Sequence, residues 1–137
     1  MDTETISRAL CYAFRNDKLL AQALTHPSYA LQHHVPDNQR LEFLGDAVLE
    51  ICVSRVLYAR YPQMQEGQLT RRRALLVREA TLAAAARRLG LGPALLLDHG
   101  EELDGGRKKP SILADAMEAV LAAVYLDGGM EAAAALV

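Results

Sequence analysis

The stretch Ile112-Leu113-Ala114-Asp115-Ala116-Met117-Glu118-Ala119-Val120-Leu121-Ala122-Ala123-Val124 is apolar at every position but two. As a helix it has almost no polar face, and a helix that is apolar all round is buried. Asp115 and Glu118 are three residues apart, so both lie on the same side of it. Burying two like charges without a partner costs several kcal/mol or displaces their pKa values strongly. Something positive must face them.

Working outward, the pattern recurs upstream. Asp37 or Asn38 opens a long helix that runs to about Tyr61 and is stopped by Pro62. On it, Glu42 and Asp46 sit four residues apart on one face, among Leu41, Phe43, Leu44, Ala47 and Val48. Like charges at that spacing destabilise a helix slightly. Gly45 between them costs about 1 kcal/mol of helix propensity, which makes sense if another backbone or a ligand comes close. Two pairs of helical carboxylates in apolar stripes point to four oxygen donors converging on one cation. All-oxygen ligation favours Mg²⁺ or Mn²⁺ over Zn²⁺, and Mg²⁺ on few carboxylates keeps open positions suited to phosphate chemistry. The plainer alternative is that each carboxylate pairs with an Arg or Lys at the surface, although little cationic sequence lies nearby.

The remainder reads as one helical domain. The chain has 137 residues, 51% hydrophobic and 23% charged, with no Trp, five Tyr and two Phe. This excludes disorder and disfavours an all-β fold. Helices are expected over 4–14, 18–24, 66–90, 92–97 and 112–127, with Ser111 as the N-cap of the last. Residues 30–37, with His33 and His34, and 98–109 read as polar loops. A final helix starts at 130 and the sequence stops about two turns into it, the expectation for a domain cut from a longer protein or for a short terminal helix docked on the core. Cys11 and Cys52 fall in apolar helical patterns and read as reduced core thiols of a cytoplasmic protein. Nothing resembles a signal peptide, and the 112–126 stretch is too short and too charged to span a bilayer. The net charge of −2 argues weakly against nucleic acid, but basic residues cluster at Arg71-Arg72-Arg73, Arg87-Arg88 and Arg107-Lys108-Lys109.

Asn38-Gln39-Arg40-Leu41-Glu42-Phe43-Leu44-Gly45-Asp46-Ala47-Val48-Leu49 resembles the signature of the ribonuclease III catalytic domain. Thr25-His26-Pro27-Ser28-Tyr29 precedes it as in that family. Glu66-Gly67 with Leu69 and Arg72 matches the next block, and Lys109-Pro110-Ser111-Ile112-Leu113-Ala114-Asp115-Ala116-Met117-Glu118-Ala119 matches the last. The resemblance runs through the whole chain in the family's order. It implies an all-α, dimeric fold and a metal-dependent endonuclease of double-stranded RNA acting in rRNA and mRNA processing. The family's metal ligands fall on Glu42, Asp46, Asp115 and Glu118, with Asp46 and Glu118 as the catalytic pair. Mg²⁺ is the implied cofactor, with Mn²⁺ able to substitute. Glu66 matches an auxiliary acid near the site. Gln39 stands where the signature often has an auxiliary Glu. Phe43 matches a residue that inserts into a cavity of the partner subunit, in a homodimer whose groove holds the duplex. The family's usual double-stranded RNA-binding domain has no counterpart in residues 1–137, so truncation of a longer enzyme is expected.

Hydrolysis leaving 5′-phosphate and 3′-hydroxyl ends is the implied reaction, and it needs no side-chain nucleophile. Ser28 beside His26 is read as a cap or turn residue because Pro27 and a helix start adjoin it. Lys109, close to a helix N-terminus, is a candidate contact to the RNA backbone. Arg107 and Lys108 read as electrostatic contacts or a solvated loop. Of Arg71-Arg72-Arg73, at most two can face one groove, so one packs or pairs with acids. Two rivals remain: an all-α, Mg²⁺-dependent nucleotide pyrophosphatase, which also uses helical carboxylate pairs, and a non-catalytic scaffold, disfavoured because all four ligands are present.

Overall fold

A computed structural model describes residues 3–137. Ten helices follow one another: α1 (Thr3–Leu10), α2 (Asp17–Ala23), α3 (Pro27–His33), α4 (Gln39–Arg60), α5 (Glu66–Val77), α6 (Glu79–Leu89), α7 (Leu91–Ala94), α8 (His99–Leu103), α9 (Pro110–Gly128) and α10 (Met130–Leu136). Among the described residues there is no strand, only an isolated parallel bridge between Thr25 and Leu96.

The apolar stretch forms α9, and it is the centre of the molecule. Ala116, Ala119, Val120, Ala122, Ala123 and Val124 are all fully buried. Its small side chains let neighbours approach closely, and it packs most extensively on α4 and α6, then on α10 and α2. Each fully buried Val or Leu contributes roughly 1.5–3 kcal/mol by leaving water. The start of α4 is pinned by side chains rather than by a helix cap of its own. Buried Asn38 donates from Nδ2 to the Ala23 carbonyl (3.0 Å), and Gln22 Nε2 donates to the Asp37 carbonyl (3.1 Å). The Asp37 carboxylate accepts from the Gln39 N–H (2.9 Å). These contacts fix the axial position of Glu42 and Asp46.

Several local expectations need correction. The 66–90 segment is two helices, because Arg78 adopts an extended conformation (φ −72, ψ 159) that turns α6 onto α9. No Gly or Pro marks that break; burial of Leu82, Ala83 and Ala86 drives it. Residues 27–33 form α3, with Pro27 in its first turn and the His26 ring accepting from the Ser28 N–H. His33 closes α3, stacked 3.9 Å from Tyr29, and His34 is its left-handed C-cap. The first helix ends at Leu10, and Cys11 (φ 56) is exposed where the chain turns away, so it is not a core thiol. Cys52 is buried as expected.

The 98–109 segment is also structured, as α8 and a 3₁₀ turn at Gly106–Lys108. Arg107 is its staple. Nη1 donates to the carbonyls of Gly92 (3.0 Å), Pro93 (3.2 Å) and Leu95 (2.6 Å), and the guanidinium pairs with Glu102 at 2.7 Å. It is therefore neither a free electrostatic contact nor part of a solvated loop. Helix α9 begins at Pro110 with Lys109 in the cap position, so Ser111 is not the N-cap; proline's fixed φ suits the first helical residue. Residues 92–97 are helical only to Ala94, after which Leu96 pairs with Leu24 and His26 through the backbone. The short α10 docks on the core through fully buried Ala133.

Candidate metal centre

Helices α4 and α9 touch at Gly45. A β-carbon there would run into the Glu118 carbonyl. The glycine read from the sequence as a point of close approach is thus met by another backbone, that of Glu118. The absent side chain brings the two carboxylate pairs to one place. Glu42, Asp115 and Glu118 each offer a carboxylate oxygen within 4.8 Å of the other two. Asp46 joins them through a side-chain hydrogen bond with Glu118, and Glu42 is likewise bonded to Asp115.

The electrostatics follow from crowding and burial. Glu118 is only 9% exposed. Burial chiefly, then its hydrogen bond to Asp46 and the charges of Asp46, Glu42 and Asp115, push its pKa up to about 8. Burial also raises Glu42, helped by the charges of Asp115 and Asp46. Asp115 is raised by burial and by the charge of Glu79, while His26 opposes the shift. Without a cation, then, Glu118 holds a proton at neutral pH and shares it with Asp46. Among the described residues, no Arg or Lys makes an ion pair with any of the four. Surface pairing with Arg or Lys therefore does not account for the four carboxylates within the described residues.

The donor set fits a hard divalent ion. Ligands about 2.1 Å from Mg²⁺ in an octahedron lie roughly 3–4 Å from one another, so small inward shifts of oxygens within 4.8 Å of each other would complete the site. Glu118 also borders an apolar cavity of about 370 Å³ between α4, α6, α9 and α10, but that cavity brings no second carboxylate.

The other expected residues lie elsewhere. Gln39 is exposed at the start of α4, one turn before Glu42. Phe43 projects outward, 82% exposed. Glu66 is not beside the cluster within one chain. It lines a cavity of about 180 Å³ with Ser54, Tyr58, Thr70 and Arg73, two to three turns, or about 12–18 Å, further along α4. Lys109 Nζ is held by Glu101 (2.7 Å) and Asp104 (3.2 Å). Arg73 pairs with Glu50 (3.1 Å) and Arg72 packs on the Tyr61 ring (4.8 Å to its centroid), as the crowding of three arginines on one turn required. Ser28 does bond to His26, at 2.9 Å, within the α3 cap. Two residues whose charges act on Asp115, His26 and Glu79, were not assigned that part in the sequence reading. Glu79 opens α6, whose start no sequence signal marks, and His26 was read only within the Thr25–Tyr29 block that precedes the signature.

Fold and site define the class first: a helical domain whose two central helices deliver four acidic side chains to one point. The ribonuclease-III-like family matches residues 16–137, and the chain belongs to that family. It is 61% identical over 112 residues to ribonuclease 3 of Moorella thermoacetica, covering 81% of this chain and 48% of that protein. It is 52% identical over 132 residues to ribonuclease 3 of Oleidesulfovibrio alaskensis, covering 95% and 58%. The chain spans about half the length of the curated relatives it matches. The nuclease domain of ribonuclease III from Campylobacter jejuni superposes with a TM-score of 0.94 at 41% identity, over 98% of this chain and 92% of that one.

Proposed function

We propose that this chain is the nuclease domain of an endoribonuclease that hydrolyses double-stranded RNA with a divalent cation, Mg²⁺ or Mn²⁺. The reading rests above all on one observation: Glu42, Asp115 and Glu118 converge, with Asp46 attached, and no basic side chain neutralises them. In it, Glu42, Asp46, Asp115 and Glu118 hold the ion, with Asp46 and Glu118 as the catalytic pair. When bound, the ion activates water, polarises the scissile phosphate and stabilises the leaving 3′ oxygen. Glu118 must give up the proton it shares with Asp46, so loading the centre releases a proton. The products carry 5′-phosphate and 3′-hydroxyl ends.

A homodimer is part of the proposal. Phe43 heads an exposed stripe on α4 with Ala47, Ile51 and Tyr58, spaced to share one face. The 180 Å³ cavity containing Glu66 lies at the far end of that stripe. Two antiparallel copies of α4 would seat each Phe43 in the other's cavity. That pairing carries Glu66 of the partner subunit toward Gln39 and Glu42, which accounts for an auxiliary acid so far from the cluster in its own chain. The Campylobacter jejuni nuclease domain has a flexible region involved in its dimer formation.

A duplex lying across the two centres would be recognised by shape, 2′-hydroxyls and phosphates. Lys109 remains the proposed backbone contact, for which a phosphate must compete with Glu101 and Asp104. We place the protein in the cytoplasm on its two free thiols. None of the described helices is long and apolar enough to cross a membrane. The deciding experiment is digestion of a duplex RNA with Mg²⁺ by the unmodified chain and by Glu118→Gln. Cleavage that disappears in the variant is the expected result. Intact duplex, with pyrophosphate released from a nucleoside triphosphate, would replace the nuclease with a pyrophosphatase.

A further inference from the structure

The apolar cavity of about 370 Å³ that Glu118 borders is lined unevenly. Helix α4 supplies Val53, Val56 and Arg60, and α6 supplies Leu82, Ala85 and Arg88. Each helix thus closes its share of the wall with an arginine in its last turn. Among the described residues, no carboxylate pairs with either arginine. The wall is also long. Gly45 meets Glu118 near the start of α4, and from Gly45 to Arg60 that helix advances about 22 Å. Val56 and Leu76, each close to half exposed, leave a way in from solvent.

Shape and wall chemistry together select the occupant. The volume falls at the lower end of the roughly 300–1,000 Å³ typical of small-molecule sites. Drawn out along two helices, it suits a single unbranched chain better than a compact ring system. A nucleobase needs partners for its edge donors and acceptors. Besides Glu118 and the arginines, the only polar side chain in the wall is Thr81, whose hydroxyl already donates to the Leu75 carbonyl (2.8 Å). Polar edges buried there without partners would be costly, whereas an alkyl chain asks only for apolar contact. Two unpaired guanidiniums call for an anion, and their planar fork matches a carboxylate.

We propose that this cavity binds a free, single-chain carboxylate of medium length, its alkyl tail along Val53, Leu82 and Ala85 and its head on Arg60 and Arg88. The assignment does not depend on how the four acids are used. The test is calorimetric titration of the full chain at low salt with decanoate, decanol and decylammonium, each kept below the concentration at which it aggregates. Decanoate is expected to bind saturably, once per chain, and more tightly than the other two by about tenfold or more. Arg60→Gln combined with Arg88→Gln is expected to lower decanoate to the affinity of decanol with melting unchanged, because both side chains are exposed. Ala85→Phe, which fills the cavity, is expected to abolish binding of decanoate and decanol alike. Decanoate that binds no tighter than decanol, or that binds equally well to the variant lacking both arginines, would overturn the proposal. So would heats that never saturate, the mark of adsorption to the apolar rim. If Ala85→Phe does not fold, the arginine pair decides.

Discussion

Gly45 and the carbonyl of Glu118 are in direct apposition, and no atom larger than hydrogen fits on the Gly45 α-carbon. Gly45→Ala therefore sets two effects against each other. Alanine improves helix propensity by about 1 kcal/mol, but overpacking costs roughly 1–3 kcal/mol. The obstacle here is backbone, which cannot rotate aside, so the steric cost wins. We expect a lower melting temperature and a loss of Mn²⁺ binding larger than the stability change explains, because separating α4 from α9 separates the carboxylate pairs.

The cluster makes the metal-free chain sensitive to alkali. Folded Glu118 keeps its proton up to about pH 8, whereas the unfolded chain releases it near the ordinary 4.5. Stability is therefore full below about 4.5 and falls as pH rises through 8, and the upward shifts of Glu42 and Asp115 act in the same sense. Urea unfolding in the presence of a chelator, at pH 5, 6.5 and 8, is expected to show a decline that Mg²⁺ offsets most strongly at the alkaline end.

Glu118→Gln follows from the same burial. The neutral side chain no longer has to ionise where a charge is poorly solvated, so above pH 7 the metal-free variant is expected to be more stable than the unmodified chain by a few kcal/mol. A melting point that rises while RNA cleavage vanishes would mark Glu118 as a residue kept for function at the expense of stability. A variant that melts lower at pH 8 would contradict the burial argument.

Arg107→Ala should destabilise without touching the chemistry. It removes a charged donor from the carbonyls of Gly92, Pro93 and Leu95, with an expected loss of about 2–3 kcal/mol. Arg107→Lys should not rescue it, because an ammonium lacks the planar fork. Melting curves read the loss. If instead the KM for duplex RNA rises with stability unchanged, Arg107 is an RNA contact.

Phe43→Glu separates an interface residue from a core residue. A core Phe truncation costs roughly 3–5 kcal/mol, but this ring is 82% exposed. Sedimentation is expected to show a dimer in the unmodified chain and a folded monomer in the variant.

The four acids were legible because helical spacing and apolar surroundings are local facts. Asp115 and Glu118 stood out in a stripe without other charges, and Gly45 marked a close approach before its partner was known. Local pattern was silent where the outcome depended on segments distant in sequence. Arg78 breaks a helix because α6 finds its place on α9, and Arg107 faces carbonyls 12 to 15 residues away. Lys109 is neutralised by Glu101 and Asp104 across the α8 turn.

By itself, then, the sequence determined the long helices α4 and α9, that α9 is buried, and that two acidic pairs sit where charge is costly. Only the tertiary structure decided that the pairs meet, that no arginine pairs with them, and that Lys109 is tied to Glu101 and Asp104. The division has a physical basis. Propensity and periodicity act within a few residues along the chain, whereas the solvation and pairing of a charge depend on whatever packing places within several ångströms of it.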